Sequence, residues 1–472
     1  MLGALLTKVM LLLRIVTRSI FNNRIVSYST SIFQQNLLKF RKMAPKHREN
    51  PIIKKLDSSE FKSIFTDELL KLSTIFDKYG YEIRIAGGAV RDLLSGKTPK
   101  DLDFATTATP DQMKTMFTEE NIRMINAKGE KHGTITPRIN DKENFEVTTL
   151  RIDVLTDGRH AEVQYTTDWL LDANRRDLTI NSMFLDLNGN IYDYFYGYDD
   201  LQKRRVAFVG NPVTRIQEDF LRILRYFRFY GRIASTPDDH DEVTITAIKE
   251  NASGLAQISG ERIWTELKKI LEGNFSGELL KKILECNCAP HIGLPENYNL
   301  KELDKILMNL KTNDLQLNAI TLLTSLINTE EEAMQLHARI KFSAYERDLM
   351  LFIVQHREPK LDPRPLQPYK ILVLKAKNKN TREYVVELLK YLNSEHIEEF
   401  NSWVLPKFPL NGTILKENGV EAGNFMGAVM QAMKNYWTDN DFNLSEEELL
   451  KKLPSVVAEL KEKSAAKRKI SK

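Results

Sequence analysis

The chain has 472 residues, a length that predicts two or more domains, and its 42% hydrophobic and 28% charged residues are typical of an ordinary globular protein. Its 68 Lys and Arg exceed its 64 Asp and Glu by only four, so any surface for nucleic acid must be a local basic patch. Two cysteines exclude a disulfide framework and indicate a reducing compartment.

Residues 1–48 differ from the rest, because they contain nine basic residues and no acidic one. Ser and Thr are frequent there, and residues 11–16 supply an apolar helix face, which is typical of a mitochondrial presequence. Arg14 and Arg18 interrupt the apolar core that a secretory signal needs, and no run is long enough to span a membrane. A second start at Met43 would yield a chain without this segment.

Helices and strands alternate from residue 61 to about 195. Thr109-Pro110-Asp111-Gln112 has the pattern of a helix start, with a proline at the first helical position and a capping-box glutamine. Asn188-Gly189-Asn190 predicts the turn of a hairpin. The predicted helices begin near residues 61, 89 and 110, and the predicted strands are 81–86, 100–104, 133–139, 145–151, 183–187 and 191–195.

Strand signals nearly vanish after Tyr196. The pattern predicts an α+β protein, with a mixed-sheet head followed by helices. We place the presequence at 1–48, the head at 49–196, a helical neck at 197–275, a helical body at 276–358 and a helical tail at 359–472. Cys286, Cys288 and His291 lack a second pair of zinc ligands, so an ordinary helix-ending loop is favoured there.

The strongest chemical signal is Gly87-Gly88, a short helix, and then Asp101-Leu102-Asp103. Carboxylates two residues apart on a strand share a face, and their mutual repulsion is relieved by divalent cations. Two metal ions there would activate a hydroxyl and neutralise a triphosphate, which the glycines allow to approach the backbone. Glu146 on a later strand would supply a third acid, or would face water or pair with Arg151.

Two further clusters are polar. Arg175-Arg176 suits a triphosphate, and Asp177 and Asn181 would share a helix face and bind a ribose 2′-hydroxyl. The alternative is an amphipathic helix start with a solvated arginine pair.

The second cluster, in 218–225, predicts a helix with Asp219, Arg222 and Arg225 on one face and Phe220, Ile223, Leu224 and Phe227 on the buried face. Asp219 as acceptor and Arg222 as donor match cytosine and adenine and reject uracil and guanine. The alternative is a surface salt bridge between the two.

Together these motifs, over about 61–272 and including Gly260-Glu261-Arg262, resemble the class II CCA-adding tRNA nucleotidyltransferases. The resemblance implies a polymerase β-like head, metal binding by Asp101 and Asp103, and base reading by Asp219 and Arg222. With Asp101 and Asp103, Glu146 is the candidate catalytic acid that its strand position suggests. It also implies two Mg²⁺ ions, CTP and ATP as substrates, and tRNA as partner. The residues expected to bind the nucleotide are Gly87, Gly88, Arg91, Arg151, Arg175, Arg176, Asp177, Asn181, Asp219, Arg222, Arg225 and Arg228.

Basic residues in the neck and tail are the candidates for binding RNA. A bacterial-type poly(A) polymerase shares all these motifs, and a catalytically silent RNA-binding protein on the same scaffold is the alternative from another class. The resemblance predicts no membrane association and is compatible with a homodimer. The RNA-binding candidates are Lys203, Arg204, Arg205, Lys370, Lys375, Lys377, Lys379 and Arg382.

Overall fold

The computed structural model describes residues 45–125, 127–156, 161–313, 315–358 and 363–470. The predicted presequence therefore lies outside the described residues except for its last four. The chain forms two compact units, one comprising the described residues up to Glu296 with Ala338–Lys341, and the other Asn297–His337 with the chain from Phe342 onwards. This division falls inside the segment that we predicted as the body.

The first unit contains a mixed sheet with the strand order β1-β11-β10-β2-β3-β7-β5-β4, and β6 pairs with β5. Within this sheet β3 and β7 run parallel, and the other described neighbours run antiparallel. β8 and β9 form a separate antiparallel pair. The strands are β1 (Ile52–Lys55), β2 (Ile83–Ala86), β3 (Asp103–Thr106), β4 (Arg123–Ile125), β5 (Thr134–Ile139), β6 (Glu143–Asn144), β7 (Glu146–Thr149), β8 (Arg151–Thr156), β9 (Ala161–Tyr165), β10 (Phe184–Leu185) and β11 (Asn190–Tyr192).

Helices lie between and after these strands along the chain, and they form most of the rest of the first unit. The α-helices are Ser59–Ser63, Asp67–Lys78, Gly88–Leu94, Pro110–Glu119, Trp169–Arg175, Gly197–Gln202, Pro212–Glu218, Arg222–Ile233, Glu242–Asn251, Gly260–Leu271, Ser276–Glu285 and Ala289–Ile292. Three 3-10 helices are Ala127–His132, Thr179–Asn181 and Ala252–Gln257. The prediction of an α+β head followed by helices is confirmed.

Local sequence explains several helix boundaries. The capping box is present, since the Thr109 hydroxyl accepts a hydrogen bond from the Gln112 amide and the Gln112 side chain accepts one from the Thr109 amide. Such a cap stabilises a helix by about 1 kcal/mol. The single helix expected from residue 61 to 79 is wrong, because Thr66 accepts from the Leu69 amide and starts a second helix.

Along the neighbouring strands β3 and β7, side chains point alternately to the apolar core and to the opposite face, which lines a cavity. Phe104 on β3 and Val147 on β7 are buried, and the Phe104 ring packs edge-on against Phe145 at 5.7 Å. Each such burial contributes roughly 1.5–3 kcal/mol to folding. The preceding residue of each strand, Asp103 and Glu146, consequently points to the opposite face.

The second unit is helical throughout its described residues. Trp437 lies at the centre of one apolar cluster, and Phe400, Val385 and Leu389 form another. No helix in the described parts of the chain is both long and apolar enough to cross a membrane. The helices beyond residue 296 are Leu300–Asn313, Ala319–Thr324, Glu330–Ile340, Ala344–His356, Gln367–Lys375, Thr381–Tyr391, Ile397–Ser402, Gly412–Glu417, Asn424–Asp439 and Glu446–Ile470.

Both cysteines are buried in the first unit. Burial raises the pKa of the Cys286 thiol to about 11 and raises that of Cys288 as well. These thiols therefore stay protonated near neutral pH, and thiolate is the form that binds metal or attacks an electrophile.

Candidate active site

A cavity of about 770 Å³ lies within the first unit. This volume suits a nucleotide-sized ligand. All twelve residues expected to bind the nucleotide line it, together with Asp103 and Glu146. The lining also contains Arg262 of the Gly260-Glu261-Arg262 motif. The residues of the lining that the sequence analysis did not single out are Ala86, Phe104, His132, Thr134, Thr148, Asp153, Leu221 and Phe229.

The two carboxylates of the cavity lie on adjacent strands. Asp103 and Glu146 are direct partners in the parallel pairing of β3 with β7. Partners in such a register are about 5 Å apart at Cα and share a face of the sheet. Asp101 differs from the prediction, because β3 begins at Asp103 and Asp101 precedes it, exposed and outside the cavity lining. Asp101 and Asp103 therefore do not belong to one strand, contrary to the prediction.

The environment of Asp103 suits a divalent cation. Partial desolvation raises the pKa of Asp103, and the nearby charges of Glu146 and Asp101 raise it further. A cation would relieve this repulsion, and the oxygen-only donors favour Mg²⁺ over softer metals. No three His, Cys, Asp or Glu side chains in the described chain converge as a complete metal site. Mg²⁺ sites commonly use one or two carboxylates and complete their coordination with substrate phosphates and water, so these residues fit.

Gly87 brings the backbone close to the arginines of the cavity. Its φ of +64° lies in the left-handed region, and a Cβ there would be 3.0 Å from an Arg176 guanidinium nitrogen. Any side chain at this position would therefore strain the backbone and displace Arg176. The helix Gly88–Leu94 follows directly and carries Arg91 into the cavity wall.

Arg175 and Arg176 are held by Asp172, a residue that the sequence analysis missed. Arg175 Nε donates to Asp172 at 2.7 Å, and Arg176 donates to its other oxygen at 3.0 Å. Burial opposes ionisation of Asp172, but the two guanidiniums hold its pKa below the usual value. The i, i+3 and i, i+4 spacings from Asp172 were the signal in the sequence. The alternative of a solvated arginine pair is wrong.

The segment after Arg175 does not form one helix. The prediction that Asp177 and Asn181 share a helix face is therefore wrong. The helix ends at Arg175, and Arg176 is extended. The reason is backbone pairing, because Val209 N donates to Asp177 O at 2.9 Å and Leu178 forms a bridge with Phe208.

Asp177 and Asn181 nevertheless both line the cavity. Asp177 accepts from Arg225 Nε at 2.6 Å, and Asn181 accepts from Arg91. Burial opposes ionisation of Asp177, but Arg225 holds its pKa below the usual value. Each of the two polar side chains is thus held at the cavity by a different arginine.

The continuous helix expected over 218–225 is also wrong. One helix ends at Glu218, Asp219 is extended with φ −156° and ψ 106°, and the next helix begins at Arg222. Asp219 accepts from the Leu221 amide at 3.1 Å and from Arg262 at 2.7 Å. The Leu221 amide thus finds its acceptor in one oxygen of the Asp219 side chain, while Arg262 binds the other oxygen.

Phe220 is only partly buried, unlike Ile223, Leu224 and Phe227 on the face predicted to be buried.

Arg222 has partners other than Asp219. It donates to Glu218 at 2.5 Å and to the carbonyls of Arg215 and Arg175 at 3.1 Å each. Among the described contacts no hydrogen bond or ion pair joins it to Asp219. The salt-bridge alternative is therefore wrong, and both side chains are fixed by neighbours while lining the same cavity.

The cavity carries an excess of positive charge. Its lining includes eight arginines and five carboxylates. The eight are Arg91, Arg151, Arg175, Arg176, Arg222, Arg225, Arg228 and Arg262, and the five are Asp103, Glu146, Asp153, Asp177 and Asp219. Such a site attracts a multiply charged anion, and one guanidinium group can bind two phosphate oxygens at once.

The RNA-binding candidates lie outside the cavity lining. Lys203, Arg204 and Arg205 are exposed in the first unit, and Lys375, Lys377 and Lys379 are exposed in the second. Two other candidates serve the fold of the second unit. Arg382 donates to the carbonyls of Asn401 and Trp403 at 3.0 and 2.6 Å, and the Lys370 ammonium lies 5.8 Å from the centre of the Trp403 ring.

Two family models match the chain. The poly A polymerase head domain matches residues 83–207, and the probable RNA and SrmB-binding site of polymerase A matches residues 240–296. These spans contain all the cavity residues discussed above except those from 208 to 239.

The chain is also similar to named relatives, along most of its length for those from mouse and human. The mitochondrial CCA tRNA nucleotidyltransferase 1 of Mus musculus is 52% identical over 402 residues, which are 84% of this chain and 92% of the relative. The Homo sapiens protein of the same name is 51% identical over the same coverage. The CCA-adding enzyme of Bacillus subtilis is 36% identical over 49% of this chain and 56% of its own length.

Solved structures resemble the fold. The Bacillus stearothermophilus CCA-adding enzyme in complex with CTP gives a TM-score of 0.65 at 24% identity, covering 86% of this chain and 100% of that one. The Thermotoga maritima CCA-adding enzyme complexed with tRNA gives 0.63 at 19% identity, covering 86% and 99%.

Proposed function

The chain belongs to the family of class II CCA tRNA nucleotidyltransferases, which add C, C and A to the 3′ end of tRNA, and we propose that the cavity of its first unit is the catalytic centre. The observation that carries this proposal is the pairing of Asp103 with Glu146 at the edge of an arginine-lined cavity. Clustered carboxylates beside a phosphate-binding wall suit the transfer of a nucleotidyl group to a hydroxyl.

The cofactor we propose is Mg²⁺, as two ions held by Asp101, Asp103 and Glu146. Their chemistry when bound is to activate the 3′-hydroxyl of the RNA and to neutralise the charge on the triphosphate. The raised pKa of Asp103 supports a cation there, because partial burial and then the negative charges of Glu146 and Asp101 disfavour its ionised form. Asp101 is the weakest member of this set, since it lies outside the cavity lining.

Arginines of the cavity would bind the triphosphate of CTP or ATP. Arg175 and Arg176 are oriented by Asp172, which supports this role because an oriented guanidinium loses less conformational freedom on binding. Arg91 and Arg228 lie in the same lining, and Arg151 adds a further cation. The 3′-hydroxyl, on losing its proton, would attack the α-phosphorus and form the new phosphodiester bond, and the β- and γ-phosphates would leave as pyrophosphate.

Asp177 and Asn181 would recognise the ribose 2′-hydroxyl. We expect Asp177→Asn to lower the rate with ribonucleotides and to narrow the preference over deoxynucleotides by about tenfold, because one charge-assisted hydrogen bond is weakened. The measurement is the ratio of kcat/KM for CTP to that for dCTP. Asparagine is preferred to alanine because Arg225 would otherwise keep a buried charge without its partner.

Asp200→Asn provides the control for this substitution. Asp200 is a buried acid of the same unit that accepts from Thr179 at 2.7 Å and does not line the cavity. The ratio should stay at the wild-type value in that variant. An unchanged ratio in Asp177→Asn as well would assign Asp177 a structural task only.

The RNA partner is tRNA, held by Lys203, Arg204 and Arg205 of the first unit and by basic residues of the second. Exposure of Lys375, Lys377 and Lys379 supports the assignment. Contacts to phosphate make affinity fall steeply with salt. A homodimer remains compatible with these assignments, and its test is the mass of the protein in solution.

One experiment separates this function from its alternatives. The purified protein is incubated with tRNA that lacks its CCA end and with each nucleoside triphosphate singly and together. Addition that stops after C, C and A supports the assignment. A long adenylate tail would indicate poly(A) polymerase activity, and RNA binding without incorporation would indicate a silent scaffold.

We also propose two cellular locations. The relatives from mouse and human are named mitochondrial, and the basic, acid-free segment 1–48 supports import of the chain that begins at Met1. A chain that begins at Met43 should stay in the cytosol or nucleus. Fluorescent fusions of both chains test this, and import of the shorter one would contradict it.

A further inference from the structure

Phe229 is a buried aromatic residue among the arginines of the cavity. Its side chain is 3% exposed and lines the cavity. Three guanidinium carbons lie over its ring, those of Arg228 at 4.5 Å, Arg91 at 5.0 Å and Arg225 at 5.5 Å from the ring centre. A ring face attracts cations, and 6 Å is the usual limit for this interaction.

Each of the three arginines is also paired with a carboxylate, and Arg225 lies 3.9 Å from a second one, Glu266. Arg91 donates to Asp92 at 3.0 Å, and Arg225 donates to Asp177 at 2.6 Å. Arg228 donates to both oxygens of Glu266 at 2.9 and 3.0 Å.

The ring is the contact that the three arginines share. They come from two helices, since Arg91 belongs to Gly88–Leu94 whereas the other two share Arg222–Ile233 with Phe229. Like charges in one place repel, so a shared attractive surface favours their common arrangement.

We propose that Phe229 is a positioning residue, whose ring keeps Arg91, Arg225 and Arg228 in the arrangement that binds the triphosphate of the incoming nucleotide. This inference rests on the function proposed above. Phe229 follows Arg222 by seven residues on one helix, which is about 10 Å along the axis. The ring is therefore separated along the helix axis from Arg222, although Arg225, which pairs with Asp177, lies only three residues from Arg222. Three clustered cations match a triphosphate better than a neutral base.

Phe229→Leu tests the proposal, because leucine keeps most of the apolar volume and removes the ring. We expect KM for CTP and for ATP to rise by the same factor, about tenfold, which corresponds to about 1.4 kcal/mol. The preference for C and A over U and G should not change, because the base contacts remain. A loss of packing alone would lower Tm without shifting KM.

Phe227→Leu is the matched control. Phe227 lies two residues earlier on the same helix, is fully buried and does not line the cavity. Its substitution should lower Tm at least as much as Phe229→Leu while KM stays within about twofold of wild type. Equal KM values in the two variants would overturn the proposal.

A second series keeps the shape of the ring and so does not depend on the stability of the leucine variant. Phenylalanine analogues with one, two and three fluorine atoms at position 229 weaken the attraction of the ring for cations in steps. KM for CTP should rise with each step, and a flat series would refute the assignment. Wild-type addition of C and A in the same assay keeps this outcome separate from failure of the proposed function.

Discussion

Asp103→Asn is expected to abolish the addition of both C and A, by at least about a thousandfold in kcat, which corresponds to about 4 kcal/mol. Asparagine keeps the size and most of the polarity of the side chain but removes its negative charge. Without that charge, the pair formed with Glu146 across β3 and β7 would no longer hold a divalent cation. Metal ions that are softer or prefer tetrahedral coordination would not restore activity, because the remaining ligands are oxygens.

The stability of this variant should change in the opposite direction. In the folded chain the Asp103 carboxylate is partly desolvated and is repelled by Glu146 and Asp101. Removing the charge relieves that repulsion, so Tm without metal should equal or exceed the wild-type value. Magnesium should raise Tm in wild type and have little effect in Asp103→Asn.

Asp77→Asn is the control for Asp103→Asn. Asp77 is an exposed carboxylate near the end of the helix Asp67–Lys78, and it does not line the cavity. Its substitution removes the same charge and should preserve both activity and the response of Tm to magnesium. Near-normal turnover by Asp103→Asn would remove the metal assignment.

Asp101→Asn distinguishes a direct metal ligand from a nearby charge. The sequence motif predicts the same loss as for Asp103, whereas Asp101 lies before β3 and outside the cavity lining. A loss equal to that of Asp103→Asn would indicate that Asp101 turns towards the cavity when substrate binds. A loss below about tenfold would restrict the metal ligands to Asp103 and Glu146.

The sequence predicted elements well where local chemistry decides the structure. The capping box at Thr109 and the hairpin turn at Gly189 depend on neighbouring residues, and both occur in the structure. The Gly87-Gly88 motif likewise precedes a short helix. Strand bounds were less accurate, since the strand predicted at 183–187 is only Phe184–Leu185 and the one predicted at 100–104 lies at Asp103–Thr106.

Predictions failed where distant contacts decide the backbone. The helix expected over 218–225 breaks at Asp219, which pairs with Arg262, 43 residues away. The helix expected after Arg175 ends because Asp177 and Leu178 pair with 208–209. Periodicity reports helical propensity and cannot register a partner that the fold supplies from elsewhere.

The charged residues of the site were easier to predict from the sequence than the residues that hold them in place. Arginines and acids in one polar motif indicate a function by themselves. The sequence analysis did not single out Phe229, because an apolar residue in a helix has the same pattern whether it packs on leucine or on arginine. Only the three-dimensional arrangement shows the guanidiniums around it.

The choice of nucleotide should depend on Asp219 and Arg222. Cytosine and adenine each present an exocyclic amine beside a ring nitrogen that accepts, and uracil and guanine present a carbonyl beside an N–H. A carboxylate can only accept and a guanidinium can only donate, so the pair suits the first two bases. Arg262 and the Leu221 amide orient Asp219, and Glu218 orients Arg222.

In Asp219→Asn, the side-chain amide could donate a hydrogen bond at a position where the carboxylate can only accept one. A well-formed base contact contributes roughly 1–3 kcal/mol of discrimination, which is about 5- to 150-fold. We therefore expect kcat/KM for CTP and ATP to fall together within that range, while incorporation of UTP and GTP rises relative to them. The rotated amide can donate to the carbonyl of uracil or guanine, which the carboxylate repels.

Glu261→Gln separates base reading from a change of charge. Glu261 is an exposed acid at the start of the helix that carries Arg262, and it does not line the cavity. This variant removes the same negative charge from the same region and should keep the preference for C and A. Single-nucleotide addition to tRNA lacking its CCA end, with each of the four triphosphates, measures the ratio directly. If Asp219→Asn lowered only Tm and left that ratio unchanged, the contact of Asp219 with Arg262 would be its whole contribution, and the base would have to be selected by other residues of the cavity.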